Sequence, residues 1–142
     1  MRVESYLFFD GTCEEAIKFY KKALGAKVGQ LVRYKEAPDG APRKFAEKIM
    51  HVSFQIGETR VMASDDCGGK RPRFGGFSLC VSPANKPRAK KIFTALAEGG
   101  EVGMPLQKTF YSPCFGMVMD RFGILWMVMV EDPAHRQGAS KG

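Results

Sequence analysis

The chain repeats itself, and that constrains its fold more than any other feature. A short apolar strand, a helix with clear end signals and a run of strands closing on an apolar segment fill residues 3–65; the same order returns over 75–131. The segment SYLFFDGTCEEAIKFYKKALGAKV in the first copy answers to FSLCVSPANKPRAKKIFTALAEGGEV in the second. Gly25 and Gly99 stand 74 positions apart, as do Val28 and Val102. A repeat of this length is one supersecondary unit used twice. Each copy has an open face to bury against the other copy or against a second chain, and a curled pair leaves a groove suited to a small molecule. A length of 142 residues suits one domain, or two half-size modules sharing a core. The predicted division is a first module at 1–65, a linker at 66–74, a second module at 75–131 and a frayed tail at 132–142.

Within each copy the helix is the clearest element. Thr12 with Glu15 three residues on forms a capping box. Cys13, Ala16, Ile17, Tyr20 and Leu24 then fall on one face, and Gly25 supplies the stop. In the second copy Asn85 is the N-cap, Ala89, Ile92, Phe93 and Leu96 form the stripe, and Gly99-Gly100 ends it. Strands are predicted at 3–9, 27–35, 48–56 and 59–65, then at 75–82, 101–106, 113–120 and 124–131. Gly57-Glu58 and Phe122-Gly123 are tight turns, and the Pro/Gly-rich stretch 36–44 is a long hairpin loop. The order is βαβββ twice, an α+β fold.

Composition removes several function classes. A hydrophobic content of 44% is ordinary for a globular protein. No apolar run approaches the roughly 20 residues of a membrane helix. The N-terminal MRVESYLFFDG lacks the layout of a secretion signal, so the chain reads as cytoplasmic. The net charge of +7 is scattered, without the aromatic interleaving of a nucleic-acid platform. No nucleic-acid or membrane partner is expected, only a mild attraction for anions. Cys13, Cys67, Cys80 and Cys114 form no C-x-x-C pair, and Cys13 and Cys80 read as small core residues.

The segments YLFFDGTCEEAIKFYKKALGA, KIMHVSFQIGETRVMASD, FGGFSL and MPLQKTFYSPCFGMVMDRFGILWMV, in this order, resemble the vicinal oxygen chelate superfamily. That superfamily includes glyoxalase I, extradiol dioxygenases and the bleomycin and fosfomycin resistance proteins. More narrowly, the chain is similar to the PhnB-like branch. The resemblance runs from about Ser5 to Val130 and implies curled mixed sheets around a groove. It also implies a homodimer, because dimers are usual in such families. In the metalloenzymes of the superfamily, His, Glu or Gln on the first and last strands of each module hold a divalent metal. Carried over, those positions fall near Ser5, Ala63, Gly76 or Ser78, and Met127. A hard cation needs several oxygen or nitrogen ligands, so no metal is expected and no cofactor is assigned. One name used for the branch implies a ubiquinone methyltransferase. Neither helix start, DGTCEE or SPANKP, offers the glycine-rich turn that a nucleotide cofactor wants.

Candidate ligand-binding residues are His51, Ser53, Lys108, Phe110, Tyr111 and Met127. By alternation His51, Ser53 and Gln55 share one strand face, opposite core residues Val52 and Phe54. Asp65 and Asp66 point to opposite faces, so they form no dyad and read as turn residues at the linker entrance. The Pro-bounded stretch 105–113 carries Lys108, Tyr111 and Ser112 as grips for an anionic or hydroxylated ligand, with Phe110 as a stacking wall. Leu125, Met127 and Met129 line the groove floor, while Trp126, Val128 and Val130 pack on the helices. The expected function is binding of a small molecule in an apolar groove without the usual metal. The competing readings are a metal-dependent lyase, isomerase or dioxygenase with a relocated site at His51, and an interaction module with no ligand.

Overall fold

The computed structural model describes residues 1–38, 42–66 and 71–133. His135, Cys67 and most of the predicted tail lie outside these, as do the middle of the 36–44 loop and much of the linker. The chain divides into two compact units, Met1–Arg73 and Phe74–Gly142.

Unit one runs β1 (Tyr6–Phe9), α1 (Cys13–Leu24), β2 (Lys27–Arg33), β3 (Ile49–Ile56) and β4 (Thr59–Asp65). Two short 3-10 turns, Tyr34–Glu36 and Arg43–Phe45, lie between β2 and β3. Unit two runs β5 (Leu79–Val81), α2 (Lys86–Ala97), β6 (Glu101–Gln107), β7 (Cys114–Met119) and β8 (Leu125–Val130). Each unit holds a four-stranded mixed sheet, ordered β1-β4-β3-β2 and β5-β8-β7-β6. The first strand of each unit runs parallel to the last, and the other pairs are antiparallel. The βαβββ order is therefore as the sequence predicts, with β1 and β5 shorter than expected and β6 one residue longer.

Each helix covers one face of its own sheet. On α1, Cys13, Ala16, Ile17 and Tyr20 are buried. They meet the inward side chains of Leu7, Phe9, Val52, Phe54 and Ala63, all nearly inaccessible. Tyr20 stacks on Phe54 with ring centroids 6.2 Å apart. Gly25 takes φ +68° and closes α1 with a left-handed cap, a conformation glycine adopts without penalty. On α2, Ala89, Phe93 and Leu96 are buried against β7 and β8. Gly116 on β7 lets Phe93 come close: a Cβ there would stand 2.8 Å from the Phe93 ring. Trp126 and Val128 are buried, and Val130 nearly so, on this same face.

The start of α1 departs from the predicted capping box. Thr12 makes no side-chain cap. Asp65 caps the helix instead, its Oδ1 accepting from the Cys13 N–H at 2.9 Å, while its Oδ2 accepts from the Ile49 N–H at 2.9 Å. The Tyr34 hydroxyl donates to the Asp65 carbonyl at 2.7 Å. Asp65 is thus not a turn residue at the linker entrance. It is a fully buried clamp joining the end of β4 to the starts of α1 and β3. A carboxylate suits a helix N-terminus because it satisfies an orphan N–H and complements the helix dipole. In α2 the cap is as predicted, with the Asn85 side chain accepting from the Arg88 N–H at 3.0 Å.

Candidate functional site

The sheet faces turned away from the helices are where side chains remain open to a ligand. Registers show which residues occupy them. In unit one, Tyr6 stands opposite Met62, Met62 opposite Ser53, and Phe8 opposite Ser64. His51, opposite Val32 on β2, shares this face with Ser53. His51 and Ser53 are therefore brought together as expected.

Two aromatic residues join them. The Tyr6 hydroxyl crosses β4 to reach His51 Nδ1 at 2.9 Å. Tyr6 and His51 rings lie 5.6 Å apart, and Tyr6 and Phe8 rings 5.0 Å apart. Phe8 is 50% exposed and Tyr6 37% exposed, despite sitting in a strand of four aromatic or aliphatic residues. Neither stands out in the sequence. YLFF carries no polar–apolar alternation, so nothing in it marks Leu7 and Phe9 as inward and Tyr6 and Phe8 as outward. The Ser53 hydroxyl accepts from the Gln30 N–H at 3.1 Å where β2 bulges, which ties part of its bonding capacity to the sheet.

At the other end of this face Glu4 meets Arg60 in a bidentate pair, both contacts at 2.9 Å. The Arg60 guanidinium holds the Glu4 carboxyl below its ordinary value. This pair, the Tyr6–His51 bond and the Ser53 bond leave a polar rim around an aromatic centre.

In unit two the open face is sulfur-rich. Met104 stands opposite Met117, Met117 opposite Met127, and Met127 opposite Cys80, one residue from each of the four strands. The neighbouring row pairs Phe115 with Met129. Met127 is where the sequence places it, on the face away from α2. Cys80 is not a core residue: it is exposed in this row, and partial burial pushes its thiol above the usual range. Cys13 does sit in the core, where burial and the Asp65 carboxylate both push its thiol up.

The predicted 105–113 loop is shorter, because Pro105 to Gln107 belong to β6. Thr109 organises what remains, its hydroxyl accepting from the Ser112 and Tyr111 N–H groups at 3.0 and 3.3 Å. Ser112 is no ligand grip. It is 1% exposed, its hydroxyl accepts from the Cys114 N–H at 3.1 Å, and the Val130 carbonyl lies 2.6 Å away as an acceptor. Lys108 is exposed, and Phe110 is 92% exposed at the tip. Tyr111 meets Phe110 and Phe115 edge-on at 5.0 and 5.4 Å. The loop's aromatics therefore run from the tip onto Phe115, which is buried beneath them on the same face as Met117 and Met127.

In unit one the residues that would face a metal differ by one from those carried over, whereas in unit two Met127 keeps its place and Cys80 lies two residues beyond Ser78. Ala63 is fully buried on the helix side, so β4 offers Met62 and Ser64 instead. β1 offers Tyr6 and Phe8, β5 offers Cys80, and β8 offers Met127 and Met129. Glu4, the nearest carboxylate, is engaged by Arg60. Among the described residues no three His, Cys, Asp or Glu side chains cluster as a metal site. Thioethers, a phenol, hydroxyls and the single imidazole of His51 do not make the set of several oxygen or nitrogen donors that a divalent cation needs.

At each helix N-terminus one backbone N–H is taken by the chain's own side chain, Asp65 at α1 and Asn85 at α2. Among the described residues no helix is long and apolar enough to cross a membrane.

Comparison with known proteins agrees with the fold. The family model described as 3-demethylubiquinone-9 3-methyltransferase matches residues 1–129. Protein YjdN of Escherichia coli strain K12 is 31% identical over 140 residues, covering 92% of this chain and 95% of that protein. The crystal structure of PA1353 from Pseudomonas aeruginosa is 37% identical with a TM-score of 0.84, covering 92% of this chain and 98% of that one. A Bacillus cereus PhnB protein, described as a putative 3-demethylubiquinone-9 3-methyltransferase, has a TM-score of 0.76 at 24% identity, covering 92% and 99%. Glyoxalase/bleomycin resistance/dioxygenase and fosfomycin-resistance structures share the fold at lower identity.

Proposed function

Because this chain belongs to the 3-demethylubiquinone-9 3-methyltransferase family, in its PhnB-like form of the glyoxalase/bleomycin-resistance fold, we propose that it binds a small organic molecule on its open sheet faces without the usual divalent metal. The observation that carries this is the row Met104–Met117–Met127–Cys80, where the metalloenzymes would want hard donors. Methionines give an adaptable, polarizable wall that accepts apolar ligands of varied shape. Tyr111 and the exposed Phe110 extend that wall from the loop beside it.

Methyl transfer, which the family's description names, is not part of this reading. It would need a nucleotide-cofactor cradle, and neither helix start, DGTCEE or SPANKP, has the glycine-rich turn such a cradle uses. The relocated-metal reading gains nothing from His51 either, since among the described residues no three His, Cys, Asp or Glu side chains cluster as a metal site.

The test is binding of an amphipathic aromatic dye, 8-anilinonaphthalene-1-sulfonate, to the folded chain, with metal content measured in parallel. Saturable binding that Met127→Lys abolishes, with the fold retained by circular dichroism, supports the reading. Binding indifferent to Met127→Lys, or one equivalent of zinc, nickel or manganese held through His51 and a carboxylate, overturns it.

A further inference from the structure

The geometry points to a second, more selective element of the same ligand-binding reading: Tyr6, Phe8 and His51 form a subsite for a flat ring that carries an oxygen acceptor. This rests on the open sheet faces being small-molecule surfaces, and it names the chemistry they select.

A single hydrogen bond joins Tyr6 to His51. The hydroxyl and Nδ1 lie 2.9 Å apart. A phenol O–H is a strong donor and its oxygen a poor acceptor, whereas an unprotonated imidazole nitrogen accepts well, so the phenol donates and Nδ1 accepts. Accepting at Nδ1 requires the tautomer protonated at Nε2. Tyr6 therefore acts as a positioning residue: it turns His51 into a fixed N–H donor whose Nε2 points away from the phenol.

Aromatic rings run on from His51 through Tyr6 to Phe8. Tyr6 is in ring contact with both His51 and Phe8, at 5.6 and 5.0 Å, and Phe8 keeps half its surface accessible. Aromatic rings prefer offset or tilted partners, and an exposed ring face beside a polar donor suits a ligand that is apolar on one side and an acceptor at its edge. A carboxylate, phenolate or ketone oxygen on an aromatic ring meets both demands. A ligand without a ring would forgo the Phe8 contact, and a ligand that only donates hydrogen bonds would meet a donor.

Nearby charge does not displace this reading. The Arg60 guanidinium on the same face is held by Glu4, so it is not the primary anion grip. The protein's net charge of +7 favours the approach of an anionic aryl compound.

The experiment is an NMR titration of the full chain, labelled with 15N in its histidine rings, against benzoate and against cyclohexanecarboxylate. His51 in the free protein is expected to show the Nε2-protonated tautomer, and Tyr6→Phe is expected to shift it toward a tautomer mixture without unfolding the chain. Benzoate is expected to move the His51 Nε2 signal saturably, with cyclohexanecarboxylate weaker. His51→Phe, which keeps a ring and removes the donor, should weaken benzoate about tenfold, a difference of about 1.4 kcal/mol. Free His51 in the other tautomer overturns the proposal without any variant. So does benzoate that fails to saturate at millimolar concentration, or that saturates with His51 unmoved. Dye binding through Met127 survives all three outcomes, so failure here is separable from failure of the wider reading.

Discussion

Asp65 does more for this fold than its place at the end of a strand suggests. Its two carboxylate oxygens satisfy two backbone N–H groups in a fully buried setting, and removing it orphans both. Asp65→Ala is expected to lower stability by roughly 2–5 kcal/mol, as hydrogen bonds to a charged group are lost and buried donors are left unpaired; urea denaturation with an unchanged slope measures it. Thiols give a second check at this scale. Cys80 on the open face should be alkylated in the native protein, while Cys13 and Cys114 should react only on unfolding. Peptide mapping after brief iodoacetamide treatment separates the three. Glu4 contributes to acid sensitivity. Its folded carboxyl lies below the ordinary 4.5 because of Arg60. The stabilisation is therefore complete above that ordinary value and lost as pH falls through the lower folded one. Arg60→Gln should shallow that part of the acid-unfolding curve.

At the scale of elements, helices and turns are legible in the sequence and strand faces are not. The stripes of α1 and α2 follow a period of 3.6, and Asn85, Gly25 and Gly57 mark ends and turns by chemistry that acts within a few residues. Ile17 is at the centre of its stripe and buried, so Ile17→Ala should cost about 2–4 kcal/mol in denaturant. Thr12 illustrates the limit. Its spacing to Glu15 satisfies the capping-box pattern, yet a carboxylate 52 residues from Cys13 in sequence takes the cap. Local pattern cannot see such a competitor. Strand register has the same difficulty: a shift of one residue exchanges the two faces. It is why Ala63 reads as a site residue from the sequence and proves to be core, while Met62 and Ser64 hold the open face. His51, Ser53 and Met127 are legible because polar or sulfur-bearing residues alternate there with Val, Phe and Trp. Tyr6 and Phe8 are hidden in a uniformly apolar run. Gly116 is another contact that only packing reveals. Gly116→Ala should cost roughly 1–3 kcal/mol by forcing Phe93 off its seat.

The whole molecule presents two sheets, each with one helix-covered face and one face carrying exposed or half-buried aromatic and sulfur side chains. The edges are β1 and β2 in one sheet and β5 and β6 in the other. Unpaired edge strands and accessible apolar faces invite association. A twofold partner copy would meet them with matching patches from both chains, the commonest closed arrangement for a small protein. We therefore expect a homodimer in solution whose interface helps shape the ligand-binding surface. Sedimentation equilibrium at micromolar concentration should return twice the chain mass of 15.7 kDa. If the dimer completes the binding surface, dilution that dissociates it should weaken dye binding in step. A species of 15.7 kDa across the whole range, with dye binding intact, would mean that a single chain supplies the entire surface.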